Sequence, residues 1–145
     1  MAALETGVDG KADLVLLPGS PGENARIGIS PAAYGIRKQK RVWTAVCKGC
    51  GLATDERGDL SMGANDNVIV TNVKRRGEKM TRIINVYDQR DVQTGERRAR
   101  KLNWHRAIRQ GGSTVIAGDM NANSGSWDPR CREQHDATFW EEIIN

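Results

Sequence analysis

An aspartate and two asparagines, Asp119, Asn121 and Asn123, stand directly behind an apolar run in "VIAGDMNAN" (115–123). If the chain is still extended there, Asp119 and Asn121 project to the same side, because alternate residues of a strand share a face. A carboxylate so placed can bind a hard cation or orient an attacking water, and an amide beside it can donate to a phosphate oxygen. The plainer reading is that Asp and Asn end a strand as ordinary turn residues. Both readings stand at this point.

A second constellation is "CKGC" (47–50), with Cys131 and His135 downstream at C-x-x-x-H spacing. Together they could offer zinc a Cys₃His set, but the halves lie far apart and C-x-x-C needs a matching second pair to carry weight. A redox role is weaker, since the motif ends a strand and opens no visible helix. His105 reads as a surface residue of an amphipathic segment.

These groups sit in a chain of 145 residues, which fits one domain large enough to bury a core unaided. Hydrophobic residues are 38% and charged residues 28%. No apolar stretch reaches the ~20 residues of a membrane span, so no membrane partner is expected. The N-terminus lacks the basic region of a secretory signal, and the three cysteines are an odd number, which favours reduced thiols and an intracellular setting. The net charge is +4, clustered in "IRKQKR" (36–41), "KRRGEK" (74–79) and "ERRARK" (96–101). Such clusters suit a polyanionic partner, and equally suit solvated turns.

The elements that must position the site read as follows. "DLVLL" (13–17) is a buried strand ended by the turn-rich "PGSPGE"; "YGIRK" and "RVWTAVC" are further strands. "NVIVTNV" and "TRIINVY", joined by "KRRGEK" with Gly77, make an antiparallel hairpin. "RRARKLNWHRAIRQGG" predicts a helix with Trp104, Ala107 and Ile108 on one stripe and Leu102 off it. "STVIAGD" is a strand, and "DATFWEEIIN" a helix capped by Asp136 or Thr138. Pattern alone therefore gives a mixed α/β domain of the α+β type, a sheet with helices on one face.

"GDMNAN" followed by "SWDPR", "NVYDQR" before it and "ADLVLL" far upstream together resemble the endonuclease/exonuclease/phosphatase superfamily. More narrowly, "GISPAAYGIRKQKRVWTAV", "NVYDQR" and "FWEEII" look like the endonuclease domain that precedes reverse transcriptase in fungal non-LTR (LINE-like) retrotransposons. The resemblance runs through nearly the whole chain and implies a largely antiparallel, DNase-I-like four-layer α/β sandwich, of which residues 1–145 form part. It implies metal-dependent phosphodiester cleavage with Mg²⁺ or Mn²⁺, DNA as partner, and a nuclear setting. Asp119 would orient the nucleophile or hold the metal, Asn121 would support it and touch phosphate, and Tyr87 would hydrogen-bond the scissile phosphate. Without the resemblance, Tyr87 is an interface aromatic at a strand end. Lys74, Arg75, Arg76 and Asn123 are candidate nucleic-acid contacts.

Departures from the family pattern matter as much. Where the family carries Gln-Glu after the strand matching "DLVLL", with the glutamate as principal metal ligand, this chain has Pro18 and Gly19. Glu23, further along the same loop, is the poor substitute. The family's first strand and its closing Ser/Thr-Asp-His segment have no match either, so the expectation is a truncated, impaired copy. Three readings stay open: a DNA-nicking endonuclease domain, a catalytically dead remnant that binds nucleic acid through basic loops, and an interaction fragment that self-associates through exposed sheet edges.

Overall fold

A computed structural model describes residues 14–18, 34–38, 42–64, 66–122, 124, 125, 127–130 and 137–144. Strands β1 (Leu14–Pro18), β2 (Tyr34–Lys38) and β3 (Val42–Cys47) form a three-stranded sheet in the order β1-β3-β2, antiparallel throughout. Strands β4 (Leu52–Glu56), β5 (Val68–Arg75), β6 (Thr81–Tyr87) and β7 (Ser113–Asp119) form a second sheet in that order. Only β7 runs parallel to its neighbour, β6.

Pattern alone expects one sheet beneath helices, but the strands divide into two stacked sheets, as the resemblance implies. The burial of β5 and β6 shows why. Val68 to Asn72 and Arg82 to Val86 are buried without a break, so both faces are covered. On one face Val68, Val70, Ile84 and Val86 join Leu102, Trp104 and Trp140 in the main core. On the other, Asn85 crosses to the first sheet, its Nδ2 donating to the Trp43 carbonyl at 2.8 Å and to Thr44 Oγ1 at 3.3 Å. A buried amide aimed at a neighbouring sheet fixes their relative placement, because sliding would strand its donor.

The β5–β6 hairpin stands as expected, and Gly77 takes the positive φ of 80° that its tight turn requires. The long helix expected over 97–112 does not form. A 3₁₀ turn (Arg98–Lys101) is followed by the short helix α1 (Trp104–Ala107), broken at Leu102, which adopts ψ 141°. Leu102, off the helical stripe, is buried in the core by that break. The side chain of Asn103 then caps α1 by accepting from the Arg106 N–H. Trp104 and Ala107 face the core as the stripe anticipates.

The final helix α2 (Thr138–Ile144) forms where expected. Thr138 lies inside it, with the first turn closed by the Glu141 N–H donating to the Ala137 carbonyl, and Asp136 lies outside the described residues. Trp140 anchors α2 edge-on against Trp104, with ring centroids 5.3 Å apart. Strand β4 has no counterpart in the sequence reading. It is a polar edge strand with alternating exposure, and "LATDE" offers no apolar run to mark it.

Candidate functional site

Parallel pairing of β6 and β7 sets Tyr87 opposite Asp119 at the same end of the sheet. Neither residue's neighbourhood in sequence dictates this; the register does. Tyr87 is clamped by Asn67, which is buried. The Tyr87 N–H donates to the Asn67 carbonyl, and Asn67 Nδ2 donates to the Tyr87 carbonyl, both at 2.8 Å.

Gly118, just before Asp119, has φ 138°, and a Cβ there would overlap the Val86 carbonyl. The close approach of β7 to β6 at the site thus requires a glycine. Beyond it, Asp119 Oδ1 accepts from the Asn121 N–H at 2.9 Å, an Asx turn, and Asn121 sits at φ 44°. Both readings of "GDMN" are therefore partly realised. The residues do form a turn, and the turn holds the exposed Asp119 beside Tyr87. Left-handed geometry at a residue other than glycine is uncommon and is tolerated best by Asn and Asp.

Asp88, fully buried, organises the rest of this edge. Its N–H donates to the Asp119 carbonyl at 2.8 Å, and its own carbonyl accepts from Asn121 Nδ2 at 2.8 Å. Its Oδ2 accepts from Arg100 Nε at 2.9 Å, Trp140 Nε1 at 3.1 Å and the Arg97 guanidinium at 3.4 Å. One carboxylate thus ties the ends of β6 and β7 to the loop, the 3₁₀ turn and α2. Sequence reasoning passed over both Asp88 and Asn67. The signal for Asp88 was an acid directly behind the strand-end tyrosine, with Arg97 and Arg100 downstream to neutralise it.

Tyr87, Asp119 and Asn121 line an open depression of about 770 Å³ together with Arg90, Arg97 and Trp127. Arg97 already pairs with Asp88, so the exposed Arg90 is the guanidinium that offsets Asp119, and a phosphate suits the donors of the set. One of the two amide hydrogens of Asn121 is taken by Asp88, and among the described residues the other has no acceptor.

The remaining sequence candidates fall elsewhere. Lys74 and Arg75 end β5, and Arg76 follows in the turn at the opposite end of the sheet. From Thr81 to Tyr87 the strand covers roughly 20 Å at ~3.3 Å per residue, so this basic cluster is not gathered with Tyr87 and Asp119. Glu23, Asn123, Cys131 and His135 lie outside the described residues. Cys47, which ends β3, and Cys50, in the turn to β4, are free thiols, and Cys50 Sγ donates to the Cys47 carbonyl at 3.1 Å. Burial, then Cys50, pushes the Cys47 thiol up from its ordinary value. His105 is exposed and bonded to Gln110.

Among the described residues no three His, Cys, Asp or Glu side chains converge. A hard divalent cation takes about six oxygen ligands. Among the described residues Asp119 is the exposed carboxylate at this edge, and it does not complete such a set by itself. Pro18, at the end of β1 opposite Val42, is a residue type with no side-chain oxygen.

The endonuclease domain of TRAS1, a telomere-specific non-LTR retrotransposon, matches 98% of this chain with a TM-score of 0.66 at 16% sequence identity. The chain has the fold of a retrotransposon endonuclease domain. It spans 61% of the length of that solved structure. No family model matches the sequence, and no curated protein matches it. Within this fold Tyr87, Asp119 and Asn121 share one sheet edge.

Proposed function

We propose that this chain is the DNA-phosphate-binding part of a non-LTR retrotransposon endonuclease, with cleavage impaired in this copy. The observation that carries the reading is the pairing of Tyr87 with Asp119 across the parallel strands, with Asn121 hooked between Asp119 and Asp88. A DNA phosphate in the depression receives hydrogen bonds from the Tyr87 phenol and the second Asn121 amide hydrogen, with Arg90 offsetting its charge.

In an active relative of this design Asp119 would orient the attacking water or share a Mg²⁺ or Mn²⁺ ion. Here the position expected to bring the metal carboxylate is Pro18-Gly19, and loss of one member of a catalytic unit removes most of its effect. The family context of the proposal is target-DNA nicking for reverse transcription in the nucleus.

The test is nicking of supercoiled plasmid in Mg²⁺ or Mn²⁺, with Asp119→Ala alongside, and salt-dependent DNA binding measured on the same samples. Binding that weakens steeply with salt, without nicking, is the expected result. Nicking abolished by Asp119→Ala would overturn the impairment and direct attention to Glu23. Absence of DNA binding by the folded chain would overturn the phosphate site itself.

A further inference from the structure

Four tryptophans occur in the chain, and they are treated differently. Trp104 and Trp140 are buried, Trp43 is half-buried, and Trp127 is 42% exposed. An exposed indole is common on surfaces, but this one lines the same depression as Tyr87, Asp119 and Asn121. It also borders a small apolar groove formed with Ile116, Met120, Trp140 and Ile144.

The backbone of Trp127 is tied down. Its N–H and that of Asp128 both donate to the Ser124 carbonyl, at 3.1 and 3.0 Å. Ser124 is buried, and its hydroxyl donates to Glu141 Oε1 of α2 at 2.6 Å. The adjacent Trp140 donates to Asp88, whose carbonyl holds Asn121. These hydrogen bonds, joined through the Glu141–Trp140 peptide link, tie the backbone bearing Trp127 to the phosphate-directed groups.

From this geometry we infer that Trp127 is a stacking platform for an unpaired nucleobase adjoining the bound phosphate, so that the site prefers DNA with an unstacked base over fully paired duplex. The inference rests on the phosphate-binding reading above. The depression falls within the ~300–1,000 Å³ of small-ligand pockets, room for a nucleotide unit. Every base offers a π-face, so such a platform selects strand state and not sequence. In a paired duplex the bases are already stacked and the ring gains nothing from them.

The experiment compares the full chain with its Trp127→Phe and Trp127→Ala variants, each first checked for an unchanged thermal transition. The probes are two short duplexes, identical except for one unpaired thymine, titrated by fluorescence anisotropy and by tryptophan emission. For the unpaired probe, Ala weakens binding by about fivefold or more and Phe by less, while the paired probe changes by no more than about twofold. The emission difference between the wild-type chain and Trp127→Phe, which isolates Trp127, is quenched by the unpaired probe. Salt-dependent DNA binding that ignores both the unpaired base and Trp127→Ala overturns the stacking role and leaves the phosphate site standing. Failure of the wild-type chain to bind either probe overturns the phosphate site, and the platform with it.

Discussion

Replacing Asp88 with asparagine isolates the charge at the centre of the candidate site. Among the described residues Oδ2 of Asp88 takes three side-chain donors, while Oδ1 is buried without a partner. An asparagine can set its oxygen where Oδ2 was, retaining the acceptor while removing the negative charge, and its NH₂ at the Oδ1 position adds a buried donor to the cost. The backbone bonds to Asp119 and Asn121 are untouched. Removing one partner of a fully buried ion pair costs about 3–5 kcal/mol. The arginine side chains are 14% and 20% exposed, so water partly compensates them, and the expected loss for Asp88→Asn is about 1.5–3 kcal/mol. Asp88→Ala, which also strands the Trp140 and arginine donors, should lose about 3–5 kcal/mol. Urea unfolding followed by far-UV circular dichroism reads this directly. With a slope of ~2 kcal/mol per molar, the midpoint for Asp88→Asn falls by roughly 1 M. A midpoint shift below about 0.3 M at unchanged slope would refute the view that the buried charge holds this edge together.

Gly118→Ala forces a side chain into positive-φ backbone against the Val86 carbonyl, and should destabilise by at least ~2 kcal/mol, measured by the same unfolding curves. Arg90→Gln should lower the slope of log affinity against log salt by about one phosphate contact, whereas Arg76→Gln, at the far end of the sheet, should leave that slope unchanged. Hydrogen bonding from Arg130 holds the Asp128 carboxyl below its ordinary value, as Arg57 does for Asp59. A depressed folded-state value means that their contribution is present above the unfolded carboxylate range, near pH 4, and disappears as pH falls through the folded value. Carboxyl carbon NMR titration should show both midpoints below that of a free aspartate, and Arg130→Gln should raise only that of Asp128, and only part of the way, because the backbone N–H at position 130 still donates to it. Cys47, with its thiol raised by burial, should react with iodoacetamide more slowly than a free cysteine at pH 8.

The β5–β6 hairpin was legible because its two β-rich runs and the Gly77 turn between them agree with one another. β4 was not, because a polar edge strand is made by its neighbour: Leu52 to Glu56 extend only because β5 offers them an open ladder. The helix expected over 97–112 failed for a related reason. Helix propensity there is real but weak, and burying Leu102 and Trp104 in the same core outweighed the hydrogen bonds of one unbroken helix.

At the site, residue types and local turn chemistry were determined by the sequence itself. Gly-Asp-x-Asn can close an Asx turn with any neighbours, and a tyrosine ending an apolar strand will face a sheet edge. That Tyr87 and Asp119 meet was decided only by tertiary structure, because parallel register between strands separated by a long connection depends on which faces the core buries. The same holds for Asp88, whose charge is tolerable only where Arg97, Arg100 and Trp140 arrive from three later segments. Conversely, the basic run at 74–76 read as a binding feature from its composition, and the strand direction carried it to the opposite end of the sheet. Local chemistry travels with the residue, but proximity between distant residues is a property of the packed chain, set by the burial that makes one register far more stable than its neighbours.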